Sequence, residues 1–552
     1  MSPIHDPASL QIIWSRLINI GEEMFTTVWR TAFTPVVAVV QDHGCELLDA
    51  DGACMAHAPS SMPAFNLTMP LVTRAVLDRH PRQTMQPGDV FITNDPWVSA
   101  GHLPDLCVVT PVFRSGQVIA FCATIAHAND IGGTNDDRRP RSVYEEGLQI
   151  PILKLYDRGA RNETLYAMLR ANVRGADEVL GDLEALVAAN AVGARRVGQL
   201  LDEYGLTDVA ELSQAIQART EQAMRAAIAQ VPDGEYRAAV QFDAMERPLT
   251  IAVTVRVAGS DMAVDYAGSD PEVRRGGINA TLAYTQAQTF YSLMCALTPH
   301  LPNNEGSLRP LTIAAPAGCI LNCRYPAPVN LRLRSGWHLN TALYAALAAA
   351  LPGRVMAGSG LLAAMQARGQ RPDGGSFNVP FFAGGGQGAS QGRDGRAGYI
   401  YPSTAAGMSV EIFESRVPLL IRAKRLLADS GGAGQWCGGP GQQVEITPLP
   451  GWPEPIEILM APDRMVCPAP GLQGGRPGGL SRVLVNGEPP APGSTFYEAG
   501  YVTLESDQEV LTWDFAGGGG WGEPRAREPA AVERDLARGL ITSTAAQRLY
   551  GQ

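Results

Sequence analysis

The chain has 552 residues, 45% of them hydrophobic and 18% charged, with 44 Lys and Arg against 55 Asp and Glu for a formal charge of −11. At roughly 150 residues per domain this length predicts three or four domain-sized units, and the apolar content suffices for large cores, which excludes one small domain or a mainly disordered chain. The acidic balance, with no basic stripe interleaved with aromatics, disfavours nucleic-acid binding.

The longest apolar run, Thr341 to Leu351, falls well short of the ~18 residues a membrane span requires, so a soluble protein is expected. The first thirty residues carry His5, Asp6, Glu22 and Glu23 and lack a basic stretch leading into an apolar one, so no secretory signal is read. Nine scattered cysteines without CxxC spacing fit reduced thiols and a cytoplasmic location.

Asp6-Pro7 is a helix start, and Leu10, Ile13, Leu17, Ile20, Met24 and Val28 form one apolar stripe until Pro35 stops the pattern. Cys45 to Asp49 and Ala53 to Ala56 read as a hairpin around Asp51-Gly52. Asp89 to Asn94, Leu106 to Phe113 and Gln117 to Ala126 carry the strongest strand signal, the last two as an antiparallel pair. Helices are predicted over Leu165–Arg174, Ala176–Tyr204, which Gly205 ends, and Val209–Gln230. Strands follow at Tyr236–Phe242 and Leu249–Val257, then a helix over Leu282–Leu297. A mainly β region rich in Gly and Pro extends from Val355 to Phe515, Gly517–Gly520 reads as a hinge, and Glu528–Gln552 as a helical pair. The expected fold class is mixed α/β (α+β) and multidomain. Its parts are an N-terminal α/β region with the candidate metal site (1–158), a helical segment (159–232), an α/β domain (233–354), a β-rich domain (355–516) and a hinge with a helical tail (517–552).

The most informative constellation is H-x-x-D used twice, in Gly101-His102-Leu103-Pro104-Asp105 and in His127-Ala128-Asn129-Asp130. A turn at Ser115-Gly116 folds the second strand back on the first. With a Ser115-Gly116-Gln117 loop, Asp105 falls opposite His127, and His102 and Asp130 extend the cluster beyond the paired region. A one-residue slip would put Asp105 and His127 on opposite faces. Two imidazoles and two carboxylates together suit a divalent transition metal such as Zn, Mn or Fe. Asp42 and His43 either supply another ligand or form an Asx turn before a strand. Asp95 caps a turn or orients a ligand. Glu146, in Glu145-Glu146-Gly147, either places a carboxylate over the metal as general acid or base or is a solvated loop charge.

Three patterns are set aside. Gly388-Ala389-Ser390-Gln391-Gly392 matches G-x-S-x-G, but Arg393-Asp394-Gly395 follows where a nucleophile elbow needs a helix. Ser430 sits among glycines without an identifiable partner histidine. Gly517, Gly519 and Gly522 satisfy G-x-G-x-x-G, but too little chain remains for a βαβ unit. With no GxxxxGK[ST] either, ATP, if used, is expected on another chain.

These residues resemble the hydantoinase B/oxoprolinase family, whose members include subunits of acetone and acetophenone carboxylases. The likeness runs through Gly88-Asp89, Thr93-Asn94-Asp95-Pro96, Gly101 to Asp105, Ala126-His127, Asp130 to Gly133 and Glu146 to Pro151. It continues in Gly277 to Ala280, Asp429 to Gly434 and Gly517 to Gly522. The resemblance implies a subunit of an ATP-dependent cyclic-amide hydrolase acting on a hydantoin, 5-oxoproline or other lactam. Its partner would be a hydantoinase A-type, actin-like ATPase chain that holds ATP and Mg and phosphorylates the amide oxygen, in a hetero-oligomer such as (AB)2. By the same likeness His102, Asp105 and His127 match the metal-binding stretch, Asp42 matches an aspartate before a cysteine, and the metal is Zn or Mn. Glu146 or Asp130 would manage protons. Val40-Gln41 departs from the basic pair usual before that aspartate, which puts anion contacts there in doubt. Alternatives are a ketone carboxylase subunit and a non-catalytic scaffold for the ATPase chain.

Overall fold

The computed structural model describes Ile4 and residues 6–134, 138–403 and 405–552; His5 lies outside the described residues. Asp6 caps the helix Pro7–Thr31 by accepting from Ser9 N at 2.9 Å, and all six residues of the expected stripe are buried. The stripe packs along the 29-residue helix Ala176–Tyr204 and onto one face of an N-terminal sheet. Gly205 ends the latter helix in the left-handed conformation, as read from the sequence.

Seven strands build that sheet: β1 (His43–Asp49), β2 (Cys54–His57), β3 (Val90–Thr93), β4 (Asp105–Arg114), β5 (Gln117–His127), β6 (Leu153–Asp157) and β7 (Ala160–Arg161), in the order β2-β1-β5-β4-β3-β6-β7. The helix Met69–Arg79 contributes to a second apolar layer on the other face, with Met69, Val72 and Val76 against Phe91, Val109 and Phe121. Burial on both faces explains why β4 and β5 read as continuous apolar runs rather than alternating ones.

The middle of the chain forms a sheet of β8 (Gly234–Phe242), β9 (Leu249–Ala258), β10 (Asp261–Asp265) and β11 (Leu311–Ala314), antiparallel except for the parallel β10–β11 pair. The helix Leu282–Leu297, with the bounds expected, shares a core with it and with the helix Leu339–Leu347.

The remaining strands are β12 (Leu362–Gln370), β13 (Ser376–Gly384), β14 (Leu419–Leu426), β15 (Gln442–Pro448), β16 (Ile456–Met460), β17 (Arg482–Val485), β18 (Tyr501–Leu504) and β19 (Leu511–Asp514). They make two four-stranded sheets, β13-β12-β16-β18 and β14-β15-β19-β17, around one core that joins Met365, Phe381 and Ile458 to Leu419, Ile446 and Trp513.

One expectation is corrected. Gly517–Gly520 is not a hinge, because all four residues are buried where backbones meet. A Cβ added to Gly517 would lie 1.8 Å from Ser430 O, and one on Gly518 would lie 2.1 Å from Gln387 O. Glycine is needed here for close backbone approach rather than for motion. The terminal helical pair follows as Pro529–Ala537 and the turns over Ser543–Tyr550.

Candidate metal centre

The site lies at one end of the N-terminal sheet, where three neighbouring strands finish flush. Asp42 immediately precedes β1, Asp105 opens β4 and His127 closes β5. His127 N donates to Asp42 O at 3.1 Å and Ala128 N to Pro104 O at 2.8 Å, so the ladder itself fixes these three residues side by side. Asp105 is the register partner of His127. His102 arrives from the loop between β3 and β4, in which Asp95 closes an Asx turn by accepting from Trp97 N at 2.9 Å.

Asp105 is fully buried and stands at the centre of the group. Its Oδ1 lies 2.8 Å from His102 Nε2 and 3.2 Å from His127 Nδ1, and its Oδ2 accepts from Arg332 Nη2 at 2.8 Å. The ligating atoms of His102, Asp105 and His127 all lie within 4.8 Å of one another. Asp42 is outside that tight set, yet its Oδ1 is shielded from solvent without a hydrogen-bond partner among the described residues.

Two features fit these residues to a cation. The first is the His102 ring, whose Nδ1 lies 3.0 Å from Asn330 O. A carbonyl only accepts, so a proton on Nδ1 bonds it and leaves the Nε2 lone pair free for a cation. Histidine ligands of metals are commonly fixed in this way through the other ring nitrogen. Without a cation, Arg332 Nη1, a donor 3.3 Å from the same Nδ1, and Asp105 Oδ1, an acceptor 2.8 Å from Nε2, favour the other tautomer. The second is that two buried polar atoms lack a hydrogen-bond partner among the described residues: His102 Nε2, which faces Asp105 Oδ1 at 2.8 Å, and Asp42 Oδ1. Unmatched acceptors in a buried site are costly unless something positive stands among them.

Electrostatics hold His102 and Asp105 in the forms that bind a cation, whereas His127 favours the imidazolium whose proton a cation must displace. Burial, reinforced by the Arg332 charge, pushes His102 down to about 4, so the ring is neutral near pH 7. Burial pushes Asp105 up, but His102 and Arg332 outweigh it and hold the carboxyl well below its usual range. Burial lifts Asp42 to about 6. Burial pulls His127 down, while Asp105 and Asp42 more than offset it and raise its pKa. The set offers two carboxylates and two imidazoles, a donor mixture suited to Zn or Mn.

The sequence did not point to Arg332 as part of this site. Its side chain is buried, Nε donates to Ala100 O, Nη1 lies 3.3 Å from His102 Nδ1, and the guanidinium carbon sits 4.4 Å from the Tyr284 ring centre. Gly101 makes room for it. At a φ of +90°, its Cβ would lie 2.7 Å from Arg332 Cδ and 2.9 Å from Tyr284 Cβ.

The two expected proton-handling carboxylates lie apart from the core of the cluster. Asp130 Oδ1 accepts from Arg174 Nε at 2.9 Å and from Nη2 at 2.5 Å, and Oδ2 accepts from the Arg174 backbone. Glu146 is 4% exposed, and its carboxylate accepts from Val329 N at 2.8 and 3.0 Å and from Asn330 N at 2.9 Å. It is therefore not the solvated loop charge that was one of its two readings.

Asp42, His102, Asp105, His127, Asp130 and Glu146 all line one cavity of about 1390 Å³. Its opposite wall is the polar face of the β13-β12-β16-β18 sheet. Register pairing sets Asn378, Arg368, Glu457 and Thr503 in one row across the four strands, with Arg368 Nε on Glu457 Oε2 at 2.6 Å.

A mixed α/β multidomain protein with a buried His/Asp cluster opening on a large cavity is thus the class that fold and site define. The chain belongs to the Hydantoinase B/oxoprolinase family, whose model matches residues 6–524. It is 30% identical to a subunit of the "Putative D-/L-hydantoinase" of Pseudomonas sp. (strain NS671), over 100% of this chain and 97% of that one. It is 28% identical to the caprolactamase beta chain of Pseudomonas jessenii, over 99% and 96% of the two chains. The crystal structure of the ATP-dependent caprolactamase from Pseudomonas jessenii matches with a TM-score of 0.87 at 26% identity, covering 99% of this chain and 96% of that one. The 5-oxoprolinase 1 of Arabidopsis thaliana is 28% identical over 94% of this chain, which spans 42% of that longer protein. Among the described residues no helix is long and apolar enough to cross a membrane.

Proposed function

We propose that this chain is the metal-containing subunit of an ATP-dependent cyclic-amide hydrolase, opening a hydantoin, 5-oxoproline or related lactam after a partner chain has phosphorylated the amide oxygen. The observation that carries this reading is the convergence of Asp42, His102, Asp105 and His127 on the wall of a substrate-sized cavity. ATP and Mg belong on the partner, a hydantoinase A-type ATPase chain, in a hetero-oligomer such as (AB)2. Two relatives are named as subunits and the 5-oxoprolinase relative is a longer single chain, which supports a partner.

An unstrained lactam resists hydrolysis because its carbonyl carbon is a poor electrophile, and phosphorylation of the oxygen makes that carbon imidate-like. Water then adds, the ring C–N bond breaks as the nitrogen takes up a proton, leaving as an amine from a lactam and as a ureido nitrogen from a hydantoin, and hydrolysis of the remaining acyl phosphate by a second water gives carboxylate and phosphate. His102, Asp105, His127 and Asp42 hold the metal ion. When bound, it would supply Lewis acidity and make water a better nucleophile near neutral pH. Arg332 fixes Asp105 through Oδ2, leaving Oδ1 toward the two imidazoles. Asp130 is assigned the proton traffic. Its carboxylate lines the same cavity as the four candidate ligands.

The test is ring opening by the chain co-purified with its ATPase partner, assayed on hydantoin, 5-oxoproline and caprolactam. ATP-dependent opening with phosphate release is expected. Full-rate opening without nucleotide would contradict the reading, and bicarbonate uptake stoichiometric with a ketone would replace it by a carboxylase.

A further inference from the structure

We propose that Glu146 is a positioning residue for the metal centre rather than a proton carrier: it anchors the backbone of Val329 and Asn330, and through that segment it orients His102 and Asp105. The inference rests on the metal reading for its consequence, and on hydrogen-bond geometry for the anchor itself.

Glu146 Oε1 accepts both Val329 N at 2.8 Å and Asn330 N at 2.9 Å, and Oε2 also accepts Val329 N at 3.0 Å. A proton carrier must turn an oxygen toward substrate and alternate between O–H and bare oxygen there. Here an O–H on Oε1 would point into two N–H donors. The segment held in this way reaches the cluster at two points. Asn330 O lies 3.0 Å from His102 Nδ1, and Arg332, two residues on, meets Asp105 Oδ2. One further bond, Leu331 N to Gly277 O at 2.8 Å, pins the segment from the other side. Glu146 itself is rigid, since Glu146 N donates to Val143 O at 3.1 Å and Leu148 N to Ile131 O at 2.9 Å.

The anchor spans 183 residues of sequence and joins the loop after β5 to the segment ahead of Arg332. Without it, two backbone N–H groups in a buried setting lose their acceptor, and the carbonyl that meets the His102 ring loses its fixed position. Outer contacts of this kind are commonly worth about 10–100-fold in metal affinity.

The conservative variant separates the two roles. Glu146→Gln keeps an amide oxygen that can accept both N–H groups but cannot carry a proton, whereas Glu146→Ala removes the acceptor. The full chain, stripped with chelator, is titrated with Zn(II) or Mn(II) against a chromophoric competitor, alongside His102→Ala. Hydrogen exchange of the peptide covering residues 327–333 is followed in parallel, without metal. The expected result is metal affinity lowered about 10–100-fold in Glu146→Ala and lowered less than about tenfold in Glu146→Gln, with exchange accelerated only in the alanine variant. Wild-type affinity and exchange in Glu146→Ala, or equal losses in both variants, would overturn the proposal. Absence of metal binding by the wild type would overturn the metal reading and with it the affinity role, while exchange would still decide whether the anchor exists.

Discussion

Asp105 stands opposite His127 by a register that the hairpin reaches in two steps. The turn is the two-residue Ser115-Gly116, both at positive φ (+50° and +78°), which pairs Arg114 with Gln117 and Phe113 with Val118. A β-bulge then inserts Ile119, so that Val112 pairs with Ala120 and every pair beyond is shifted by one. The net register is that of the expected three-residue loop, because one extra residue in the strand replaces one in the turn. Without the bulge, the alternation of side chains would have carried His127 to the face away from Asp105.

Removing Arg332 leaves Asp105 buried beside two imidazoles without its guanidinium. Arg332→Met should destabilise the metal-free chain by about 3–5 kcal/mol, as breaking a buried ion pair from one side typically does. Urea unfolding measures this, and a change below about 1 kcal/mol, the range of exposed pairs, would mean that the pair is not the buried one described.

Gly101 and Gly116 both have positive φ, but only Gly101 is crowded. Gly116→Ala, with nothing within 4 Å of the added carbon, should show backbone strain alone, about 1–2 kcal/mol. Gly101→Ala adds a clash with Arg332 and Tyr284 and should cost more, with a drop in bound metal that Gly116→Ala does not show. Equal effects of the two would argue against the packing around Arg332.

The glycine stack gives a similar contrast. Gly518→Ala places a carbon 2.1 Å from Gln387 O and should destabilise by about 3 kcal/mol or more. Gly353→Ala, with open space and no positive φ, should be neutral or stabilising by up to about 1 kcal/mol. A well-folded Gly518→Ala with unchanged melting temperature would restore the hinge reading.

Stability should fall as pH drops below 6.5. His338 is buried and His57 half-buried, and desolvation lowers the pKa of each from 6.5. Between the folded value and 6.5 the unfolded chain binds more protons, so stability rises with pH there and is fully present above 6.5. His127, with a raised pKa, works in the opposite sense, losing its contribution as pH rises through the folded value. His43, His80 and His102 are lowered as well, so five lowered imidazoles against the raised His127, Asp42, Glu46 and Asp182 predict a lower urea midpoint at about pH 5.5 than at about pH 7.5. An equal or higher midpoint would contradict this.

What the sequence revealed follows the distance over which each feature is built. The helix from Pro7, the β4–β5 pair and the helix Leu282–Leu297 come from local periodicity, and His102, Asp105 and His127 come together through one hairpin. Arg332 reaches Asp105 across 227 residues, and no local pattern encodes that contact. A usable signal was present: Arg332 and Arg334 alternate with Val329, Leu331 and Leu333, and charged residues inside an apolar run are seldom buried without a partner. Tyr284 was hidden by its helix, which carries no charged residue, is buried nearly all round and reads as core. Gly517–Gly520 was misread because composition alone does not distinguish a flexible glycine run from backbones in contact.

The central claim is that Asp42, His102, Asp105 and His127 hold a metal ion, and anomalous diffraction tests it most directly. Crystals of the chain with its ATPase partner would be measured on both sides of the Zn and Mn absorption edges. One strong peak is expected within bonding distance of His102 Nε2, Asp105 and His127, absent from crystals of His102→Ala. A peak elsewhere, or none in metal-supplemented wild-type crystals, would contradict it.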